Sequence, residues 1–72
     1  MNVSNFNTQL ETLAVIVRFI EKYGYSPTVD EIAARRLLHR SAINVQLKQL
    51  TERGYIMRKS GWRNIRVIRR MT

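Results

Sequence analysis

The chain has 72 residues, and its 13 lysines and arginines against 5 acidic residues leave a formal charge of +8, with no cysteine and a single histidine. Those counts exclude a disulfide framework and the usual structural zinc sets, and the longest apolar run, Leu13 to Val17, is far short of the ~20 residues that span a bilayer. Hydrophobic residues at 44% suffice for one thin core, so the expectation is a single soluble, cytoplasmic domain helped by a partner subunit, with no cofactor, no metal and no membrane partner.

In chain order, residues 1–7 lack periodicity and are rich in asparagine, which predicts a flexible N-terminal arm with Phe6 able to tuck back onto the core. Thr8-Gln9-Leu10-Glu11 has the form of a capping box, in which the threonine oxygen takes a free backbone N–H and the glutamate reaches back to the cap. Leu10, Leu13, Ala14, Val17, Ile20 and Tyr23 then recur at helical spacing up to Gly24, so a first helix is predicted over residues 8–23. Tyr25-Ser26-Pro27 breaks the pattern, and Thr28-Val29-Asp30-Glu31 repeats the box with acidic residues where the helix dipole favours them. This second helix should carry Ile32 and Ala33 inward and end near Arg36 or Leu37, with His39 as a turn or cap residue.

A third helix is predicted from about Arg40, with Ile43, Leu47 and Leu50 at i, i+4 and i+7 forming one narrow apolar stripe and Gly54 closing it. After Gly54 the period changes to alternation. Tyr55 to Lys59 and Ile65 to Arg69 are predicted strands, joined by Ser60 to Asn64, in which Gly61 can take the positive φ such loops need. The fold class is therefore mainly α with a small β-hairpin, a three-helix winged helix-turn-helix occupying residues 8–70.

Charge sits in the second half. Up to Ala34 there are two basic residues against four acidic; from Arg35 there are eleven against Glu52 alone, a concentration that points to a polyanionic partner unless it merely keeps a small protein soluble. One helix of about three turns fits the major groove of B-DNA, roughly 12 Å wide, while a hairpin beside it can follow the backbone or enter the minor groove. Turning Ile43, Leu47 and Leu50 inward puts Ser41, Val45, Lys48 and Glu52 outward, with Asn44 on the flank. Asn can pair with an adenine edge, Val can touch a thymine methyl, Ser can donate or accept, and Lys can reach guanine or phosphate, although an ordinary solvated face accounts for Ser41 and Asn44 as well. On the hairpin, Arg58, Lys59, Arg63, Arg66, Arg69 and Arg70 with Arg53 just before it suit phosphate contact, the competing role being protection of edge strands from aggregation. Trp62 at the tip either folds back over the core or stands exposed for DNA or a partner, and its large apolar area favours burial.

The series Ser26-Pro27-Thr28-Val29-Asp30-Glu31-Ile32-Ala33, Arg40-Ser41-Ala42-Ile43, Leu47-Lys48-Gln49-Leu50 and Glu52-Arg53-Gly54-Tyr55-Ile56 resembles the DNA-binding domains of LexA-type repressors and MarR-like winged-helix regulators over roughly residues 8–68. The resemblance implies that Thr28 caps the second helix and presents its N-terminus to a phosphate. It places the reading positions on Arg40, Ser41, Asn44, Val45 and Lys48, and the wing on Arg58 to Arg66. Family members usually have Leu-Gly where this chain has Arg36-Leu37, so the turn is expected to shift by one residue, with Leu37 or Leu38 filling the core.

The leading expectation is a sequence-specific regulator of transcription that binds double-stranded DNA, cytoplasmic and on the nucleoid if the source is bacterial or viral. A lone domain of this size contacts few base pairs, so a homodimer or a protein partner is expected to supply useful specificity. The alternatives are a protein-binding winged-helix adaptor and a non-specific nucleic-acid-binding protein. An enzyme is not expected: the one histidine sits at a turn with no cysteine or paired carboxylate near it in sequence, no Gly-rich phosphate loop follows a strand, and no self-cleaving domain is seen.

Overall fold

In the computed structural model, which describes residues 4–69, the first helix α1 (Ser4–Tyr23) begins a full turn ahead of the Thr8 capping signal. Thr8 is thus a helix-interior residue and its box does not start the helix. The extra turn is held by tertiary packing: the Phe6 ring lies 5.7 Å from that of Tyr55 and the Arg53 guanidinium sits 4.0 Å above it. Of the predicted arm, residues 4–7 are helical and residues 1–3 lie outside the described residues, as does Arg70.

The buried face of α1 is also turned from the predicted one, by roughly a quarter turn. Leu13, Ile16 and Phe19 are buried together with Gln9 and Thr12, whereas Leu10, Ala14, Val17 and Ile20 are half-buried at its edges and Tyr23 is exposed. Hydropathy counting misplaces the face because two of its members are polar.

Helix α2 (Val29–Arg36) starts as its sequence dictates: Thr28 Oγ accepts the Glu31 N–H at 3.1 Å and Glu31 Oε1 accepts the Thr28 N–H at 2.9 Å. Ile32 and Ala33 point into the core. The helix ends with Leu37 in the left-handed region at φ 57°, where the Leu38 N–H reaches the Ala33 carbonyl at 3.0 Å. This corrects the expected turn. Leu37 is 88% exposed and Leu38 is exposed as well, so neither fills the core. Leu37 itself takes the left-handed position that ends α2, and its side chain is projected into solvent.

Arg36 replaces the expected buried leucine by a different chemistry. Its side chain is only 15% exposed, with Nη1 3.2 Å from Glu11; Nε donates to Thr12 Oγ1 at 3.0 Å and Nη2 to the Thr8 carbonyl at 3.3 Å. The Thr12 hydroxyl in turn donates to Oε1 of the buried Gln46. One polar chain thereby crosses all three helices.

Helix α3 (Arg40–Glu52) follows His39, which occupies the N-cap without a side-chain cap bond. It ends in a Schellman motif: the Tyr55 N–H bonds the Leu50 carbonyl and the Gly54 N–H the Thr51 carbonyl, both at 3.0 Å, with Gly54 at φ 81°. Strands β1 (Ile56–Arg58) and β2 (Ile65–Val67) pair antiparallel with Ile56 opposite Val67 and Arg58 opposite Ile65. Both are shorter than predicted. Beyond them the ladder continues as single bonds, from the Lys59 N–H to the Asn64 carbonyl at 2.9 Å and from the Ile68 N–H to the Tyr55 carbonyl at 2.8 Å. Ile56 and Ile65 close the core built by Leu13, Ile16, Ile32, Ile43, Leu47 and Leu50.

Candidate nucleic-acid interface

Helix α3 is held from within and open outside. Ile43, Leu47 and Leu50 are fully buried, while Arg40, Ser41, Asn44, Val45, Lys48 and Glu52 are exposed, the valine by 56%. A β-branched apolar side chain set among short polar residues on an exposed helix face suits contact with a thymine methyl better than it suits water. Arg40 lies 3.5 Å from Asp30 in a pair that is mostly exposed on both sides, so the guanidinium remains accessible. Gln46, on the same helix, faces inward and ties α3 to α1 through Thr12. Only its position one residue before Leu47, at the border of the apolar stripe, hinted at that role.

The hairpin splits into two groups of basic residues. Lys59 and Arg66 are exposed, and their side chains make no hydrogen bond or ion pair among the described residues. Arg58 is exposed and donates through Nε to Asn64 Oδ1 at 3.2 Å, while Asn64 Nδ2 donates to the Lys59 carbonyl at 2.6 Å, which closes the loop on itself. Asn64 was not anticipated as the residue that shapes the tip. Gly61 takes φ 100°, as the loop requires.

Arg63 differs from these. Its Nη1 and Nη2 bond the two carboxylate oxygens of Glu31 at 2.9 and 3.0 Å, Nη1 also donates to the Ser26 carbonyl at 2.9 Å, and the guanidinium stacks 4.6 Å from the Tyr25 ring. The Arg63 hydrogen bonds, followed by that from the Thr28 amide, hold the Glu31 carboxyl below its ordinary pKa, and the same pairing raises that of Arg63. Ser26 adds a second tie by accepting the Ile65 N–H on its Oγ at 3.1 Å. The wing is therefore docked onto the first turn of α2, and Thr28, whose hydroxyl and amide are both engaged with Glu31, is part of that dock.

Trp62 is 73% exposed, which corrects the expectation of burial. Ile56 and Ile65 already fill the space beneath the hairpin, and Arg63 takes the inward-facing place next to it. The indole is left outside, 4.9 Å from the Arg63 guanidinium.

Three helices, a turn between the second and third, and a basic hairpin packed beside the third make a winged helix-turn-helix, the architecture of a DNA-binding domain. The chain belongs to the LexA DNA-binding domain family, whose model matches residues 6–63. It is 48% identical over 54 residues to the LexA repressor of Thermotoga maritima, covering 74% of this chain and 27% of that protein. The LexA repressors of Thermotoga neapolitana and Oleidesulfovibrio alaskensis are 43% and 34% identical over 53 residues, covering 74% of this chain and 27% and 26% of theirs. The chain thus corresponds to about a quarter of the length of the curated relatives it matches. No helix among the described residues is long and apolar enough to cross a membrane.

Proposed function

We propose that this chain is the DNA-reading unit of a transcriptional repressor, residues 8–70 and the preceding turn of α1 binding a short duplex site in the cytoplasm. The observation that carries this reading is the outer face of α3, where Ser41, Asn44, Val45 and Lys48 stand free over a fully buried stripe. Asn44 pairs with a base edge, Val45 packs on a methyl, and Arg40, Arg58, Lys59 and Arg66 neutralise phosphates. Arg63 works from inside, by fixing the wing on Glu31, and Thr28 by capping the helix beneath it. Two copies, or one copy and a partner, on neighbouring half-sites give the length of contact that specificity requires.

Selection of bound sequences from a random duplex library at ~150 mM salt tests this reading, because non-specific phosphate attraction is weakened there. A defined motif is expected. Equal affinity for unrelated duplexes overturns it.

A further inference from the structure

Ile43, Leu47 and Leu50 hold α3 against the core along one narrow stripe of aliphatic contact. Such contact is non-directional, so it resists withdrawal of the helix better than it resists a roll about the helix axis. A roll matters here. At the 5–6 Å radius of a helix with its side chains, about 10° of roll moves an outward residue by roughly 1 Å, and side chains that read a ligand have to be held to about that tolerance.

On the shoulder of the stripe Gln46, 7% exposed, accepts the hydroxyl hydrogen of the wholly buried Thr12 of α1, 34 positions away. Thr12 Oγ1 accepts in turn from Arg36 Nε of α2 at 3.0 Å, and Arg36 is tied to the Thr8 carbonyl at 3.3 Å and to Glu11 at 3.2 Å. The chain has a single polarity. A guanidinium donates and never accepts, so the hydroxyl has to receive from Arg36 and give its one hydrogen to Gln46, which must turn its carbonyl oxygen toward α1. Groups from three helices thus fit together in one way, at a buried site where an unpaired donor or acceptor is costly.

We infer that Gln46 and Thr12 are positioning residues for DNA reading: with Arg36 they fix the rotation of α3, and so how Asn44 and Val45 meet the bases, rather than adding to the stability of the fold. This rests on the duplex-reading proposal above. Apolar replacement of a whole buried polar set is commonly neutral or stabilising, which separates orientation from stability.

The test compares the wild-type chain with Thr12→Val, with Thr12→Ser and with the triple variant Thr12→Val, Arg36→Leu, Gln46→Leu. Each is titrated by anisotropy against two fluorescein-labelled duplexes, the motif obtained by selection and a mixed-sequence duplex of equal length, at one salt concentration and at a temperature where circular dichroism shows it folded. Urea unfolding gives its midpoint. The ratio of the two affinities reads discrimination and cancels the lost charge of Arg36. The triple variant is expected to unfold at or above the wild-type midpoint and yet to discriminate about tenfold less, the size of one lost base contact. Thr12→Val should lower both midpoint and discrimination, while Thr12→Ser, which keeps the hydroxyl, keeps the wild-type ratio.

A triple variant as stable as wild type that also discriminates like wild type overturns the positioning role and leaves duplex reading intact. If the triple variant folds poorly or not at all, the pair at position 12 decides: a ratio lowered in Thr12→Val alone supports the role, and equal ratios in Thr12→Val and Thr12→Ser overturn it. A wild-type chain with one affinity for both duplexes overturns the duplex reading and this role with it.

Discussion

Leu37 bears backbone strain that its side chain does nothing to offset. At φ 57° its Cβ crowds the following carbonyl, and with 88% of the residue exposed no buried contact compensates. Leu37→Gly is therefore expected to raise stability by about 1 kcal/mol, measured by urea unfolding, with binding unchanged. Its neighbour Arg36 behaves oppositely. Arg36→Ala removes the donors to Thr12 and to the Thr8 carbonyl from a largely buried site and should cost about 1–2 kcal/mol in the same assay. The departure of this dipeptide from the family pattern was visible in the sequence. Its outcome was not, because a leucine in the left-handed region and an arginine in a polar pocket 24 residues from its partner leave no local signature.

Among the elements, α3 was the most legible, since one apolar stripe of Ile43, Leu47 and Leu50 defines both its buried and its open face. The second capping box was equally plain, and Thr28→Ala should destabilise the domain by about 1 kcal/mol in thermal unfolding. The start and the buried face of α1 are not legible in the sequence, because Phe6 meets Tyr55 only after folding and because Gln9 and Thr12 are buried polar residues. The tie between wing and α2 is titratable. The depressed pKa of Glu31 means that its contribution is complete above the ordinary glutamate value of about 4.3 and is lost as pH falls through the lower folded value. The raised pKa of Arg63 keeps that partner charged until strongly alkaline pH. Acrylamide quenching of Trp62 should accordingly increase as pH falls through that lowered value, and Glu31→Gln should show the loosened level at neutral pH with no acid transition.

For the molecule as a whole, the asymmetric charge predicts strongly salt-dependent association. If Arg40, Arg58, Lys59 and Arg66 each meet a phosphate, the logarithm of the binding constant should fall against the logarithm of salt concentration with a slope of about −3.6, read by titration at several ionic strengths. The order of elements and the basic second half were readable because capping boxes, the change of period and charge counts are local. Which cations face outward was not, since Arg63 meets its carboxylate 32 positions away. That pairing has a consequence for any mutational scan of this domain. Glu31→Gln makes the chain more positive, and counting charges assigns it tighter binding to a polyanion. With the wing anchored on that carboxylate, the expected result is the reverse: a loss-of-binding hit at an acidic residue that touches no phosphate, appearing in the same phenotypic class as the arginines.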